Sequence, residues 1–145
     1  MIIYLLIICF IIFIDLTSKK YATELLKDTS FKRITKNFYF SLVYNKGAFF
    51  GFLKNKQLLL KSAITLLIIF LIVILTYEFH NDQDSWLLLS LSFIIGGAIG
   101  NYIDRIQNGY VTDFLYIKYR SLPVFNVADV FIFMGAILLL LFSTN

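Results

Sequence analysis

Four long apolar runs constrain this chain more than anything else in it: Met1 to Ile14, Leu58 to Tyr77, Trp86 to Ile103 and Val124 to Phe142. A helix needs about 20 mostly apolar residues to cross about 30 Å of hydrocarbon. The last three runs, at 20, 18 and 19 residues, meet that length. With 59% hydrophobic residues and a mean hydropathy of +0.81, the 145-residue chain lies outside the range of soluble globular domains. It is read as a membrane protein. The first run, at 14 residues, has the length of a signal-peptide core, but no Lys or Arg precedes it and no A-x-A site follows it. It is therefore read as an uncleaved anchor. Cys9, the sole cysteine, lies inside it, so no intrachain disulfide can form. The plain reading of Cys9 is a packed or lipid-facing small apolar residue.

Between the runs lie two polar stretches that must share one side of the membrane, because two spans separate them. The larger, Asp15 to Lys56, holds nine basic residues and the aromatic and β-branched run Phe38-Tyr39-Phe40-Ser41-Leu42-Val43-Tyr44, then Asn45-Lys46-Gly47. That pattern predicts a small sheet or hairpin at the surface. The second, Asp104 to Pro123, has an Asn108-Gly109 turn signal and then an apolar, aromatic segment from Tyr110 to Tyr119, suited to the headgroup region. The opposite side offers only Glu78 to Ser85, with Asp82, Asp84 and the sole histidine, His80. All thirteen Lys and Arg fall between Lys19 and Lys61 or between Arg105 and Arg120. The positive-inside rule alone would put those stretches in the cytoplasm.

Carboxylates beside a membrane are costly and so mark function by default. Four of the nine acidic residues, Asp15, Asp104, Asp113 and Asp129, lie at or beside the ends of the apolar runs. The three-residue step from Asn101 to Asp104 puts both side chains on one helical face. A carboxylate there opposes the negative end of the helix, so Asp104 needs a partner, and Asn101 or Arg105 is near. Asn126 and Asp129 repeat the step at the start of the last run, where an N-cap and a first-turn charge would account for them. Capping does not account for Asp113, a lone carboxylate in an apolar segment between the other two. Gly96 and Gly100 form a small-xxx-small pattern, best explained by close helix packing.

Several chemistries fall away on the inventory. His80 lies on the far side from the acids and Cys9 sits in a span, which disfavours nucleophilic triads. One His and one Cys cannot build an ordinary tetrahedral zinc site. Ser18-Lys19 and Lys61-Ser62 are sequence neighbours, which do not face each other on a helix. The aspartates could hold magnesium for phosphoryl transfer, and Gly109-x-x-x-Asp113 matches part of the signature of membrane phospholipid phosphotransferases, though Ile117 stands where the next acid is due. A non-enzymatic ion-coupled protein relaying protons is a further alternative. The remaining option is a pair of carboxylates that share one proton, one acting as base toward water while the other polarises a carbonyl. Asp104 and Asp113 are equal candidates for that pair on the residues alone.

Four ordered motifs carry a specific resemblance: Asp15-x-x-x-Lys19; Asn45-x-Gly47-Ala48-x-x-Gly51; Gly100-Asn101-x-x-Asp104-Arg105-x-x-x-Gly109-x-Val111-x-Asp113-Phe114; and Phe125-Asn126-x-Ala128-Asp129. The chain resembles the lipoprotein signal peptidases, the prolipoprotein-processing aspartic peptidases of bacteria. The resemblance implies a mainly α polytopic membrane protein in one domain, with four transmembrane helices (about 1–14, 58–77, 86–103 and 124–142) and a small extracytoplasmic β-cradle drawn from segments 15–57 and 104–123. It implies an endopeptidase of the bacterial inner membrane that cuts diacylglyceryl-modified prolipoproteins before the lipidated cysteine, on the outer face, against the charge rule. The catalytic pair falls on Asp113 and Asp129, with Asp15, Lys19, Asn45, Gly47, Asn101, Asp104, Arg105, Asn126 and Ala128 as supporting or substrate-binding positions. The expectation includes membrane lipid as surroundings, a monomer, and neither metal, cofactor nor nucleic acid.

Overall fold

The computed structural model describes residues 1–29, 31–47, 56–81, 85–119 and 122–142. In chain order they form α1 (Ile2–Leu25), β1 (Phe31–Arg33), β2 (Phe38–Asn45), α2 (Gln57–His80), α3 (Ser85–Asn108), β3 (Val111–Ile117) and α4 (Val127–Phe142). Ala48, Gly51, Asp82, Asp84 and Arg120 lie outside the described residues.

The first helix corrects the expectation drawn from the apolar run. It does not stop at Ile14 but continues through Asp15 and Lys19 to Leu25, for 24 residues. Asp15 and Lys19 break the run of hydropathy without breaking the helix, because their i,i+4 spacing lets the ammonium bond the carboxylate at 2.7 Å. α3 likewise passes Ile103 to reach Asn108. α1, α2 and α3 are each long and apolar enough to cross a membrane. α4, at 16 described residues, rises about 24 Å at 1.5 Å per residue, less than the hydrocarbon thickness.

α3 is the centre of the bundle and packs against α1, α2 and α4. Ile8, Leu75, Leu88, Leu91 and Ile95 form the buried core among α1, α2 and α3. Glycines let the backbones close up: a Cβ on Gly97 would stand 2.5 Å from the Ala128 carbonyl oxygen of α4, and one on Gly96 3.0 Å from Ile11 of α1. α2 keeps most of its surface outward, with Leu58, Leu66, Ile69, Phe70 and Val73 exposed. An all-round apolar helix with one packed stripe is what lipid on the other faces requires.

The two outer stretches join in one antiparallel sheet of order β1-β2-β3, which puts them on the same side of the bundle. Phe31 pairs with Ser41 and Arg33 with Tyr39, while Phe38 pairs with Ile117, Val43 with Asp113 and Asn45 with Val111. The register shifts between Phe40 and Val43, a bulge in β2. The segment expected to lie on the interface forms the strand β3. Gly109, at φ +79°, supplies the left-handed residue that turns α3 into β3. Leu115 bridges Phe125, so the sheet is stitched to the entry of α4.

Candidate active site

Asp15 sits in α1 with no exposed surface. One oxygen accepts the Lys19 ammonium; the other accepts the Ala128 backbone N–H at 2.9 Å, one of the N-terminal donors of α4 that has no partner within its own helix. Asp15 therefore caps a different helix. Gly100 makes room for it, since a Cβ there would lie 2.6 Å from Asp15 Oδ2.

Lys19 Nζ also donates to Asn101 Oδ1 at 2.9 Å and lies 3.7 Å from Asp104 Oδ2. The shared face expected of Asn101 and Asp104 exists, and Lys19 reads both. The partner expected for Asp104 is different from the one found: its oxygens accept the Thr112 N–H and Asn108 Nδ2, each at 2.6 Å, rather than Arg105 or Asn101. Asp104 thereby clamps the start of β3 to the end of α3, a structural task.

At the entry of α4, Asn126 Oδ1 accepts the Asp129 N–H at 3.0 Å and Asp129 Oδ2 accepts the Asn126 N–H at 3.1 Å. This is a reciprocal capping box, so the plain reading of the pair holds. It leaves the Asn126 amide nitrogen over, and that nitrogen donates to Asp113 Oδ1 at 2.7 Å and to Asn101 Oδ1 at 3.0 Å. Asn101 Nδ2 donates to Asp129 Oδ1 at 2.8 Å. Asn45 of β2 closes the other side, donating to Asp113 Oδ2 at 3.2 Å while its carbonyl accepts the Gly47 N–H.

Nine of the eleven residues singled out by sequence form one continuous hydrogen-bonded network, and Asp104 joins it through the 3.7 Å approach of Lys19; Arg105 stands apart. Arg105 is 6% exposed, and its Nε has no partner among the described residues. Its guanidinium instead lines a cavity of about 750 Å³ together with Asn45, Asn101, Asp113 and Asp129. The rest of that cavity is apolar, walled by Val111, Phe125, Ile132 and Phe133. Val111 and Phe125 stand in the quoted motifs without a role assigned to them, whereas Ile132 and Phe133 were not legible in the sequence, where they are ordinary members of an apolar run. Gly97, which sets the contact of α3 with α4, was missed as well; its only signal was its place between Gly96 and Gly100.

The network is sunk in the bundle. Lys19 lies six residues before the end of α1 and Asn101 seven before the end of α3, about 10 Å down each helix. Asp113 enters from the strand above. Burial pushes its carboxyl up from 3.8 to about 6, Asp129 adds to the rise, and the hydrogen bonds from Asn126 and Asn45 oppose it, as does Lys19. The site therefore offers a carboxyl that keeps its proton up to about pH 6, a second carboxylate joined to it through Asn101 and Asn126, and an unspent arginine donor beside an apolar slot. Among the described residues no three His, Cys, Asp or Glu side chains converge on a cation-sized site.

The family model described as signal peptidase (SPase) II matches residues 7–145. A lipoprotein signal peptidase of Clostridium tetani is 39% identical over 143 residues, covering 95% of this chain and 90% of that one. One of Caldanaerobacter subterraneus is 38% identical over 136 residues, covering 93% and 91%. A bacterial membrane enzyme solved by the in meso method at 2.3 Å resolution superposes with a TM-score of 0.81 at 26% identity, covering 95% of this chain and 85% of that one. A second, at 1.9 Å, superposes with a TM-score of 0.77 at 26% identity, covering 98% and 92%. Matched across nearly its whole length in sequence and in fold, the chain belongs to the signal peptidase II family.

Proposed function

We propose that the chain is an aspartic endopeptidase that removes the signal peptides of diacylglyceryl-modified prolipoproteins, with Asp113 and Asp129 as its proton-sharing pair. The observation that carries this reading is Asn126, which bonds both carboxylates at once and fixes their relation across the junction of β3 and α4. Family membership removes the phosphotransferase and the ion-coupled protein as alternatives.

The chemistry follows from which carboxyl holds the proton. Asp113 is the one raised to about 6, so in this reading it carries the shared proton and Asp129 acts as the base. Apolar substrate closing over the cavity excludes water and pushes Asp113 up further. Ionised Asp129 takes a proton from water as the water oxygen bonds the scissile carbonyl carbon; Asp113 gives its proton to the carbonyl oxygen. A neutral gem-diol results. Asp129 then hands its proton to the leaving nitrogen as the C–N bond breaks, Asp113 recovers one from a diol hydroxyl, and the pair returns to its starting state. Arg105, whose Nε has no hydrogen-bond partner among the described residues, and Asn45 line the cavity as donors that backbone carbonyls of an extended substrate would need.

The apolar wall of Phe125, Ile132 and Phe133 opens the same cavity to acyl chains and to the apolar core of a signal peptide, both of which stay in the bilayer. The reading includes four spans, counting the short α4, in the bacterial inner membrane, a monomer, and the sheet outside with both termini inside. The decisive experiment mixes detergent-purified protein with a lipidated prolipoprotein. Cleavage before the lipidated cysteine is expected, unaffected by EDTA and abolished by Asp113→Asn or Asp129→Asn in folded protein. Full turnover by Asp113→Asn would sink the assignment of the pair.

A further inference from the structure

We propose that the tip of the β1–β2 hairpin and the adjoining end of β3 form a docking surface for anionic phospholipid headgroups of the bilayer that surrounds the helices. Lys32 and Arg33 lie on β1, Lys36 in the turn to β2, and Lys118 directly after β3. The Lys118 N–H donates to the Asn37 carbonyl at 2.8 Å, which brings the two basic segments side by side. Arg33 Nε donates to the Thr35 carbonyl, and the Ile34 and Thr35 N–H groups both reach the Phe38 carbonyl, so the turn is internally braced. All four cations are exposed.

Two features separate this tip from an ordinary solvated turn. First, no described carboxylate is ion-paired with it; the nearest exposed acid in sequence, Asp28, lies before β1. From Thr29 to Gly47 and from Ile106 to Ala128 the only acid is Asp113, which is buried in the network below. Among the described residues the ion pairs are those of Lys19 alone. Second, large apolar side chains stand exposed between the cations: Phe31 at 52%, Ile34 at 50%, Phe38 at 41% and Tyr119 at 60%. Water alone favours the cations and not these. Cations alternating with aromatic and aliphatic side chains match a headgroup layer, where the rings and chains reach the acyl boundary and the cations stay with phosphate.

The position of the sheet fits the same layer. β3 begins three residues after the end of α3, and Leu115 is bonded to Phe125 at the entry of α4, so the strands are tied to the helix ends with no stalk between. A second copy of the chain is a poor occupant, because two such tips carry the same charge. Neutral headgroups offer no counterpart to four unpaired cations, whereas an anionic leaflet attracts each Lys and Arg that comes near it. Docking would also steady β2 and β3, the strands that present Asn45 and Asp113. It would further give basic outer loops a reason to exist that is separate from the charge rule.

The test reads the tip directly and does not depend on the peptidase reading. In a Cys9→Ala background, Ile34→Cys carries an environment-sensitive fluorophore, and the protein sits as one copy per nanodisc of phosphatidylcholine alone or mixed with phosphatidylglycerol. The expected result is a blue shift and a loss of acrylamide quenching in the anionic discs, reversed by high salt. A label at Asn81→Cys, at the opposite end of α2, should not respond. Joint Lys32→Gln, Arg33→Gln, Lys36→Gln and Lys118→Gln should abolish the response, while Lys32→Arg, Lys36→Arg and Lys118→Arg together should keep it, which separates loss of charge from loss of fold. Equal spectra in the two discs would overturn the proposal. So would a response that survives in the Gln variant or that appears only with two copies per disc.

Discussion

Asp113→Asn should make the protein inactive and, at alkaline pH, more stable. Asp113 is 3% exposed and its carboxyl is raised from 3.8 to about 6, first by burial and then by Asp129. A shift of about two units at ~1.4 kcal/mol each means that holding this group ionised in the fold costs about 3 kcal/mol. The sign follows from the direction. The folded pKa lies above the unfolded one, so the favourable contribution of the protonated carboxyl is fully present below about pH 4 and is lost as pH rises through about 6. Asparagine stays neutral throughout and escapes that cost. It keeps an oxygen for Asn126 but turns an amide nitrogen toward Asn45 Nδ2, which now donates to Asp113 Oδ2; the lost bond forfeits about 1 kcal/mol.

The net expectation is a gain of about 2 kcal/mol at pH 8 that shrinks to nothing or slightly reverses at pH 4. For a chain of this length that is a rise of roughly 4–8 °C in the unfolding midpoint. Thermal unfolding in mild detergent, followed by the fluorescence of Trp86 at pH 4, 6 and 8, reads it, and cleavage of a lipidated substrate by the same preparation should be nil. A variant less stable than the parent at pH 8, or a gap that does not change with pH, would refute the claim that Asp113 is held against its ionisation.

The same raised carboxyl places a limb in the rate profile: kcat/KM should fall about tenfold per unit as pH rises past about 6, while the limb of kcat, read with substrate bound, should lie higher. A profile flat from pH 5 to 8 would contradict proton sharing. Gly97→Ala and Gly100→Ala should each cost about 1–3 kcal/mol, since the new Cβ meets the Ala128 carbonyl or the Asp15 carboxylate, whereas Gly96→Ala meets only the movable Ile11 side chain and should cost less in the same melt. Lys19→Met should destabilise by about 3–5 kcal/mol by leaving Asp15 and Asp104 without their cation, and joint Asp15→Leu should recover part of the loss. Single cysteines at Lys36 and His80, in a Cys9→Ala background, should label with a membrane-impermeant thiol reagent in intact spheroplasts at position 36 and not at 80; the reverse would place the acids in the cytoplasm.

Much of the site was legible because each polar residue in an apolar run is an anomaly that needs a partner. The three-residue steps Asn101 to Asp104 and Asn126 to Asp129 predicted shared faces, and those faces meet in the structure. The partners themselves were less legible, because they come from other elements. Asp104 turns to the Thr112 backbone N–H at the start of β3 and to the Asn108 side-chain amide four residues on, rather than to its neighbour Arg105. The length of α1 was underestimated for the same reason: a run of hydropathy ends at Asp15, but a helix ends only where its hydrogen bonds do. The choice of Asp113 over Asp104 was beyond the residues alone. What favours it is that Asp104 is bonded as a clamp while Asp113 lines the cavity.

The distribution of compensation among the acids is itself an argument about catalysis. Asp15 has an ammonium and a helix N-terminal donor; Asp104 has Lys19 nearby, an amide and a backbone N–H; Asp129 has a backbone N–H and an amide. Each of these three accepts a backbone N–H, which Asp113 does not among the described residues. Asp113 receives two side-chain amides and no bonded cation, and it is reached by the field of Asp129. Among the described residues the one buried ammonium, Lys19, is bonded to Asp15 and close to Asp104, and it reaches the strand acid above the cavity only through its field. An enzyme that needed two permanent anions, as for a metal, would gain from the opposite arrangement; one that must keep a single proton between two carboxyls needs this inequality.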